Sequence, residues 1–121
     1  MQIFVVDDSK LARASLIKLL KEYFPGVILK EASNGQEVLD LLEFITPDAI
    51  FLDLTMPIMN GYELLEVLHN KSSTIPVYVL TADIQKTSHE KVIKLGAKNT
   101  IHKPVTLEKI QGILLAIKEG Q

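Results

Sequence analysis

Two short apolar runs in this sequence end in carboxylates, and carboxylates at strand ends are well placed to do chemistry. Asp7 and Asp8 follow the run Ile3–Val6. Asp53 follows the run Ala49–Leu52. If these runs are neighbouring strands of an open α/β sheet, their carboxylates converge in the crevice where such sheets bind ligands. Two unit charges about 4 Å apart repel by about 4 kcal/mol at an effective dielectric near 20, so this cluster requires a cation or a shifted pKa.

The oxygen-only ligands of this acidic cluster suit Mg²⁺, because Zn²⁺ favours His or Cys. We expect Asp8, Asp53 and a backbone carbonyl near Thr55 to hold the ion. Asp7 belongs to the same metal site, mainly behind the other ligands. With a metal beside it, the Asp53 carboxylate can attack an incoming phosphoryl group in line and form an aspartyl phosphate.

Two polar residues at the ends of later predicted strands can contact the phosphoryl oxygens. Thr81 follows the run Ile75–Leu80 and offers a hydroxyl donor. Lys103 follows the run Asn99–His102 and offers a point charge. The residues expected to take part in the chemistry are therefore Asp53, Thr81 and Lys103.

These residues must be positioned by an alternation of apolar runs and helical patterns that occurs five times. The predicted strands are Ile3–Val6, the stretch beginning Val27–Leu29, Ala49–Leu52, Ile75–Leu80 and Asn99–His102. Helix caps are predicted at Asp8 or Ser9, at Asn34 and Asn60, each with Glu at the third helical position, and at Thr106. The fourth helix, Ile84–Leu95, is mostly polar and is predicted to be exposed and weakly anchored. Nearly continuous apolar strands indicate an α/β domain with a parallel sheet covered on both faces.

The composition limits the classes of function. The chain has 121 residues, of which 47% are hydrophobic and 23% charged, as in an ordinary globular domain. The formal charge of −2 argues against a nucleic-acid binder, and the absence of Cys excludes disulfides and thiolate metal sites. The apolar runs are far below the roughly 18 residues that span a membrane, and the amino terminus lacks the basic start of a secretion signal. We expect one domain over residues 1–121 without an effector domain, soluble and cytoplasmic.

Four stretches of the chain resemble the receiver domain of two-component response regulators, and the resemblance covers essentially all of it. They are Val5–Ser9, Asp53–Gly61, Leu80–Ala82, and Gly96–Ala97 followed by His102–Pro104. The resemblance implies a flavodoxin-like, doubly wound sheet with strand order 2-1-3-4-5 and five helices. It also implies a cis bond between Lys103 and Pro104, which is plausible because cis is least costly before proline.

The same resemblance implies a role for each residue of the site. Asp53 becomes the phosphoacceptor, Asp7 and Asp8 the acidic pair for Mg²⁺, and Thr81 and Lys103 the phosphoryl contacts. The implied phosphodonor is a sensor histidine kinase or a histidine phosphotransfer protein.

Thr100 departs from the family pattern. Receivers usually carry Tyr or Phe three residues before the Lys, as the aromatic that turns inward when Thr moves onto the phosphoryl group. The absence of this aromatic residue bears on how phosphorylation is signalled onward, and not on the phosphorylation chemistry itself. Thr55 and Asp83, two residues after Asp53 and Thr81, match places that in receivers flank the attacking water. We expect Asp83 to influence the lifetime of the phosphoryl group.

The combined interpretation is a stand-alone response regulator, of chemotaxis or relay type, that signals by phosphorylation-dependent binding of an output protein. It is expected to be a monomer and not an enzyme in the ordinary sense. Candidate docking surfaces are the early helix with Arg13 and the basic fourth helix, and the three His residues are expected on the surface. One alternative is a phosphorylation-independent adaptor, which would predict a decayed acidic site. The other is an Asp-nucleophile phosphatase, which would carry a second Asp where this chain has Thr55.

Overall fold

Strands and helices alternate along the chain, as the sequence pattern predicted. The computed structural model describes residues 1–83 and 85–120. The strands are β1 (Gln2–Val6), β2 (Ile28–Ala32), β3 (Ala49–Asp53), β4 (Val77–Thr81) and β5 (Asn99–His102). The helices are α1 (Lys10–Tyr23), α2 (Gly35–Leu42), α3 (Gly61–Asn70), α4 (Lys86–Lys94) and α5 (Leu107–Glu119). None of the described helices is long and apolar enough to cross a membrane.

All five strands are parallel and form one sheet of order β2-β1-β3-β4-β5. The order reverses between β1 and β3, where Val6 is paired with Leu52. Further across the sheet, Asp53 is paired with Leu80. The carboxyl ends of β1, β3 and β4 are therefore level with one another. The predicted doubly wound, flavodoxin-like fold and its strand order are confirmed.

Two hydrophobic clusters cover the two faces of the sheet, since successive side chains of a strand point to opposite faces. One cluster joins alternate residues of β1, β3 and β4 to α2, α3 and α4. The other joins the intervening residues to α1 and α5. Every residue of β3 is buried, as expected for a central strand covered on both faces. This buried central strand ends at Asp53.

The strand ends differ from prediction where a strand lies at an edge or follows proline. β2 runs on through Lys30 and Glu31, which are exposed, because an edge strand can present polar side chains to solvent. β4 begins at Val77 rather than Ile75. Pro76 has no N–H to donate to a ladder, although its carbonyl accepts from Ile50.

The predicted caps begin four of the helices. Ser9, rather than Asp8, caps α1 by accepting from the N–H of Ala12 at 3.1 Å. The caps at Asn34, Asn60 and Thr106 are also present.

The two Asn caps differ in what the Glu at the third helical position does. In α3, Glu63 completes a capping box with Asn60. In α2, the carboxylate of Glu37 instead accepts from the N–H and the hydroxyl of Ser33, at 2.6 and 2.8 Å. Ser33 offers both donors to one oxygen, and these bonds lower the pKa of Glu37.

The start of α4 was predicted wrongly. The helix spans Lys86–Lys94 rather than Ile84–Leu95, and Ile84 lies outside the described residues. Asp83 accepts from the N–H of Gln85 at 2.8 Å and from the hydroxyl of Ser88 at 2.5 Å, and Gln85, whose backbone is extended, is the residue that precedes the helix. Within the helix itself Val92 is the buried residue, so the predicted exposure of this helix is confirmed, and its weak anchoring stays a prediction.

Gly61 supports the end of β3, and replacing it should displace the backbone there. A Cβ at this position would lie 2.5 Å from the carbonyl oxygen of Asp53 and 2.8 Å from the Cα of Leu54. We expect Gly61→Ala to lower the free energy of unfolding by about 1–3 kcal/mol in urea titrations, because backbone must move to make room. Gly112, in α5, has open space around it. Gly112→Ala should therefore raise stability by about 0.5–1 kcal/mol, and equal effects of the two changes would contradict this account of Gly61.

Candidate functional site

The carboxyl ends of β1 and β3 bring three carboxylates together. One oxygen from each of Asp7, Asp8 and Asp53 lies within 4.8 Å of the other two. Asp7 and Asp53 are buried, with 2% and 7% of their surface exposed, whereas Asp8 is exposed. The convergence predicted from the strand ends is therefore observed, and two charges of the cluster lie largely out of solvent.

Lys103, which follows the edge strand β5, bridges the two buried carboxylates. Its Nζ donates to Asp7 Oδ2 at 2.9 Å and to Asp53 Oδ1 at 3.0 Å. Its backbone N–H donates to the carbonyl of Thr81 at 2.8 Å, which extends the ladder past the last pair of β4 and β5, Thr81 and His102. The bond to Pro104 is cis, as the resemblance implied. The ammonium thus neutralises part of the acidic cluster.

The charges of the cluster do not balance, because one ammonium faces three carboxylates. Burial raises the pKa of Asp53, the hydrogen bond from Lys103 lowers it, and the charges of Asp7 and Asp8 raise it, with a net upward shift. Burial lowers the pKa of Lys103, but its hydrogen bonds to Asp7 and Asp53 outweigh burial and the net shift is upward. The two upward shifts are compatible, since Lys103 shares its charge among several acids. The site retains an excess of negative charge that a cation can offset.

Arg13 holds the backbone of the loop that follows β1. Its Nη1 donates to the carbonyl of Asp7 at 2.6 Å and its Nε donates to Glu31 Oε1 at 2.9 Å. The Asp7 side chain also accepts from the N–H of Ser9 at 2.9 Å. The sequence interpretation placed Arg13 on a docking surface and missed this contact, since Glu31 lies 18 residues away on another element.

The three Asp residues and Lys103 line a cavity with a volume of about 440 Å³, and the remaining predicted residues line it too. Thr81 is half-buried, and its Oγ1 accepts from the N–H of Asp83 at 3.0 Å. Thr55 and Asp83 lie on the cavity wall. The structure therefore brings together all the predicted site residues: Asp7, Asp8, Asp53, Thr55, Thr81 and Lys103.

Comparison with known proteins assigns this arrangement to a family. The model of the response regulator receiver domain family matches residues 3–115. The chain belongs to this family. Response regulator MprA of Mycolicibacterium vanbaalenii is 34% identical over 116 residues, which are 96% of this chain and 49% of that protein. The regulator of RpoS of Escherichia coli K12 is 35% identical over 106 residues, which are 86% of this chain and 30% of that protein. The chain thus spans half or less of the length of these relatives.

Solved receiver domains have the same fold. The receiver domain of a DNA-binding response regulator from Colwellia psychrerythraea superposes with a TM-score of 0.90 at 25% identity, covering 98% of each chain. The receiver domain of a histidine kinase from Syntrophus aciditrophicus gives a TM-score of 0.83 at 28% identity, covering 98% of this chain and 90% of that one. Both the sequence matches and the backbone superpositions therefore agree with membership of the receiver domain family.

Thr100, at the position where receivers usually carry an aromatic residue, makes a polar contact in this receiver. Its hydroxyl lies 2.8 Å from Nδ1 of His89 on α4. Both residues line a cavity of about 360 Å³ beside the acidic site, which Thr81 also lines. His89 is exposed as predicted, and so are His69 and His102, but the bond to Thr100 was not predicted. This hydrogen bond joins the exposed helix α4 to the edge strand β5. The two residues are 11 positions apart in the chain, so no local sequence pattern predicts their contact.

The raised pKa of Asp53 predicts that removing its charge stabilises the protein. Above the folded-state pKa the full cost of the buried carboxylate is present. This cost declines as the pH falls through the folded-state pKa of Asp53 towards its unfolded-state pKa of about 3.9. Below the unfolded-state pKa the carboxyl is protonated in both the folded and the unfolded protein. In urea titrations without divalent ions, Asp53→Asn should therefore be more stable than the wild type at pH 7, and the gain should shrink towards pH 4.

A matched control for this titration is Glu66→Gln, which removes an exposed carboxylate on α3. It should change stability little at either pH. A loss of stability in Asp53→Asn at pH 7 would show that the ion pair with Lys103 outweighs burial and repulsion.

Proposed function

We propose that this receiver accepts a phosphoryl group on Asp53 from a phosphohistidine and then signals by phosphorylation-dependent protein binding. The donor is a sensor histidine kinase or a histidine phosphotransfer protein. The observation that carries the proposal is the largely buried Asp53 at the end of the central strand, between two further carboxylates and the ammonium of Lys103. Apart from its own phosphorylation, and eventual dephosphorylation, the domain is not proposed to turn over substrates.

The side chains of the site support an in-line transfer. An oxygen of the Asp53 carboxylate attacks the phosphorus, the bond from phosphorus to the imidazole nitrogen breaks, and the electron pair leaves with that nitrogen. The Lys103 ammonium, 3.0 Å from Asp53 Oδ1, can move onto a phosphoryl oxygen. The Thr81 hydroxyl oxygen accepts from the backbone N–H of Asp83, so its own proton is available for a phosphoryl oxygen.

The acidic cluster fits Mg²⁺, since it offers three oxygen ligands within 4.8 Å and carries excess negative charge. Asp8 and Asp53, with the backbone carbonyl of Thr55, would hold the ion. Asp7 would lie mainly behind them, because its two carboxylate oxygens already accept from Ser9 and Lys103. When bound, Mg²⁺ neutralises charge on the phosphoryl oxygens.

A surface beside the site suits the phosphodonor. A cavity of about 560 Å³ between the start of α1 and the loop after β5 is lined by Leu11, Ala12 and Pro104 together with Asp7 and Lys103 of the site. Leu11 is 78% exposed although it is a large apolar residue. A histidine-bearing helix of the donor could cover this apolar surface while its phosphohistidine reaches Asp53.

The output is proposed to involve the opposite side of the site. The basic residues of α4 and the following loop, Lys86, Lys91, Lys94 and Lys98, are exposed there and suit an acidic partner surface. That the domain acts alone, as a cytoplasmic monomer in chemotaxis or a relay, stays a prediction. The relatives named above are not specific to chemotaxis.

Phosphorylation by acetyl phosphate with Mg²⁺ tests the proposed function. Intact mass spectrometry should show one added phosphoryl group on the wild type and none on Asp53→Asn. Asp8→Asn should slow the reaction by about tenfold or more, because it removes a proposed metal ligand. The matched control is Asp40→Asn, which removes an exposed carboxylate on α2 and should leave the rate unchanged.

The alternatives predict other outcomes of this experiment. Continued turnover of phosphoesters without a stable adduct would indicate a phosphatase. Absence of an adduct on the wild type would contradict the proposal and favour a phosphorylation-independent adaptor.

Asp83 should shorten the lifetime of the phosphoryl group. Asp83 lines the cavity of the site, and its carboxylate, which accepts from Gln85 and Ser88, can accept a further hydrogen bond from a water molecule and orient it for attack on phosphorus. We expect Asp83→Ala to slow loss of phosphate by roughly two- to tenfold, a small part of the usual range for acid-base groups. Ser88→Ala, which removes a donor to Asp83 but keeps the carboxylate, should have a smaller effect. Equal dephosphorylation rates for wild type and Asp83→Ala would reject this role.

A further inference from the structure

One ammonium binds the backbone on both sides of Lys103. The Nζ of Lys109 donates to the carbonyl of His102 at 3.0 Å and to the carbonyl of Pro104 at 2.9 Å. Lys109 lies in the first turn of α5, whose amino-terminal cap is Thr106. The loop that carries Lys103 is thus fastened to the helix that follows it.

The helix that carries this ammonium is itself firmly held. Ile110, the residue after Lys109, is fully buried, and Leu114 and Ile117 continue the buried face of α5 against the sheet. On the other side, the N–H of Lys103 is bonded to the carbonyl of Thr81. The backbone at residue 103 is therefore held from β4 on one side and from α5 on the other.

Helix energetics alone do not explain a lysine at this position. The amino-terminal end of a helix carries partial positive charge, which favours acidic residues and disfavours cations. Thr106 already supplies the cap by accepting from the N–H of Lys109 at 3.4 Å. What this location offers the Lys109 ammonium is hydrogen bonds to the two carbonyls beside Lys103.

We propose that Lys109 is a positioning residue for Lys103. By holding the carbonyls on both sides, it fixes the point from which the flexible Lys103 side chain reaches Asp7 and Asp53. The inference rests on the proposed function, in which the same Lys103 ammonium contacts the transferred phosphoryl group. Small displacements of such a group reduce the rate of a transfer step strongly.

The test compares the maximal rate of Asp53 phosphorylation at saturating acetyl phosphate and Mg²⁺. Lys109→Met should lower this rate by about fivefold, within the range expected for a small misplacement. The concentration of acetyl phosphate that gives half the maximal rate should change less. Lys109→Arg, which can still donate to two carbonyls, should recover the rate to within about twofold of the wild type.

Two controls separate positioning from charge and from helix stability. Lys118→Met removes an exposed lysine in the last turn of α5 and should leave the rate unchanged. Thr106→Ala weakens the cap of the same helix but keeps the Lys109 ammonium, and it should slow the reaction less than Lys109→Met. Equal rates for Lys109→Met and Lys118→Met, or an equal loss in Thr106→Ala, would overturn the inference.

Amide hydrogen exchange of the unphosphorylated protein tests the contact independently of phosphorylation. The Lys103 N–H should exchange faster in Lys109→Met than in Lys118→Met, since the strand end is less firmly held. Equal exchange would overturn the inference even if Asp53 is phosphorylated. If the wild type forms no adduct, the proposed function fails, and faster exchange would still show that Lys109 holds this loop.

Discussion

The structure of the site depends on one ammonium placed between two carboxylates that are largely out of solvent. Burying a carboxylate costs several kcal/mol unless a partner offsets it, and Lys103 is that partner for Asp7 and Asp53. The two acids come from neighbouring strands, whereas the lysine follows β5 at the edge of the sheet. Level strand ends are therefore a requirement of the site, and the parallel register across β1, β3 and β4 provides them.

The same interaction leaves the site with less positive than negative charge. A fully neutralised cluster would have no affinity for a cation or for a phosphoryl group that arrives with one. Burial and the neighbouring acids keep the pKa of Asp53 raised despite the hydrogen bond from Lys103. The raised pKa means that the buried charge of Asp53 lowers the stability of the folded protein. Proteins keep such a cost at functional sites and offset it elsewhere in the structure. Here the offset comes from the buried central strand β3 and the hydrophobic clusters on both sides of it.

The features predicted from sequence are those set by local patterns. Apolar runs gave the strands, and Asn or Thr caps marked helix starts, because both depend on neighbours along the chain. The position of Asp53 followed from where an apolar run stops, and that of Lys103 from the end of the predicted fifth strand. The contacts of Arg13, His89 and Lys109 were not predictable, since they depend on how separate elements and a loop are placed in space. The start of α4 failed for a related reason, because the hydrogen bond from the Ser88 hydroxyl to the Asp83 carboxylate is a side-chain contact that helical periodicity does not report.

The way α4 is attached connects the site to the surface. Its buried contact is limited to Val92, and the rest of its attachment is polar or cationic: His89 to Thr100, and Lys91 over the ring of Tyr62 at 4.2 Å from the centroid. Each such contact contributes only about 0.5–1.5 kcal/mol. The Oγ1 of Thr81 accepts from the N–H of Asp83, whose carboxylate accepts from Gln85 and Ser88 at the start of this helix. If the proposed phosphorylation of Asp53 draws the Thr81 hydroxyl away from this bond, we therefore expect α4, rather than a firmly packed helix, to be the element that moves.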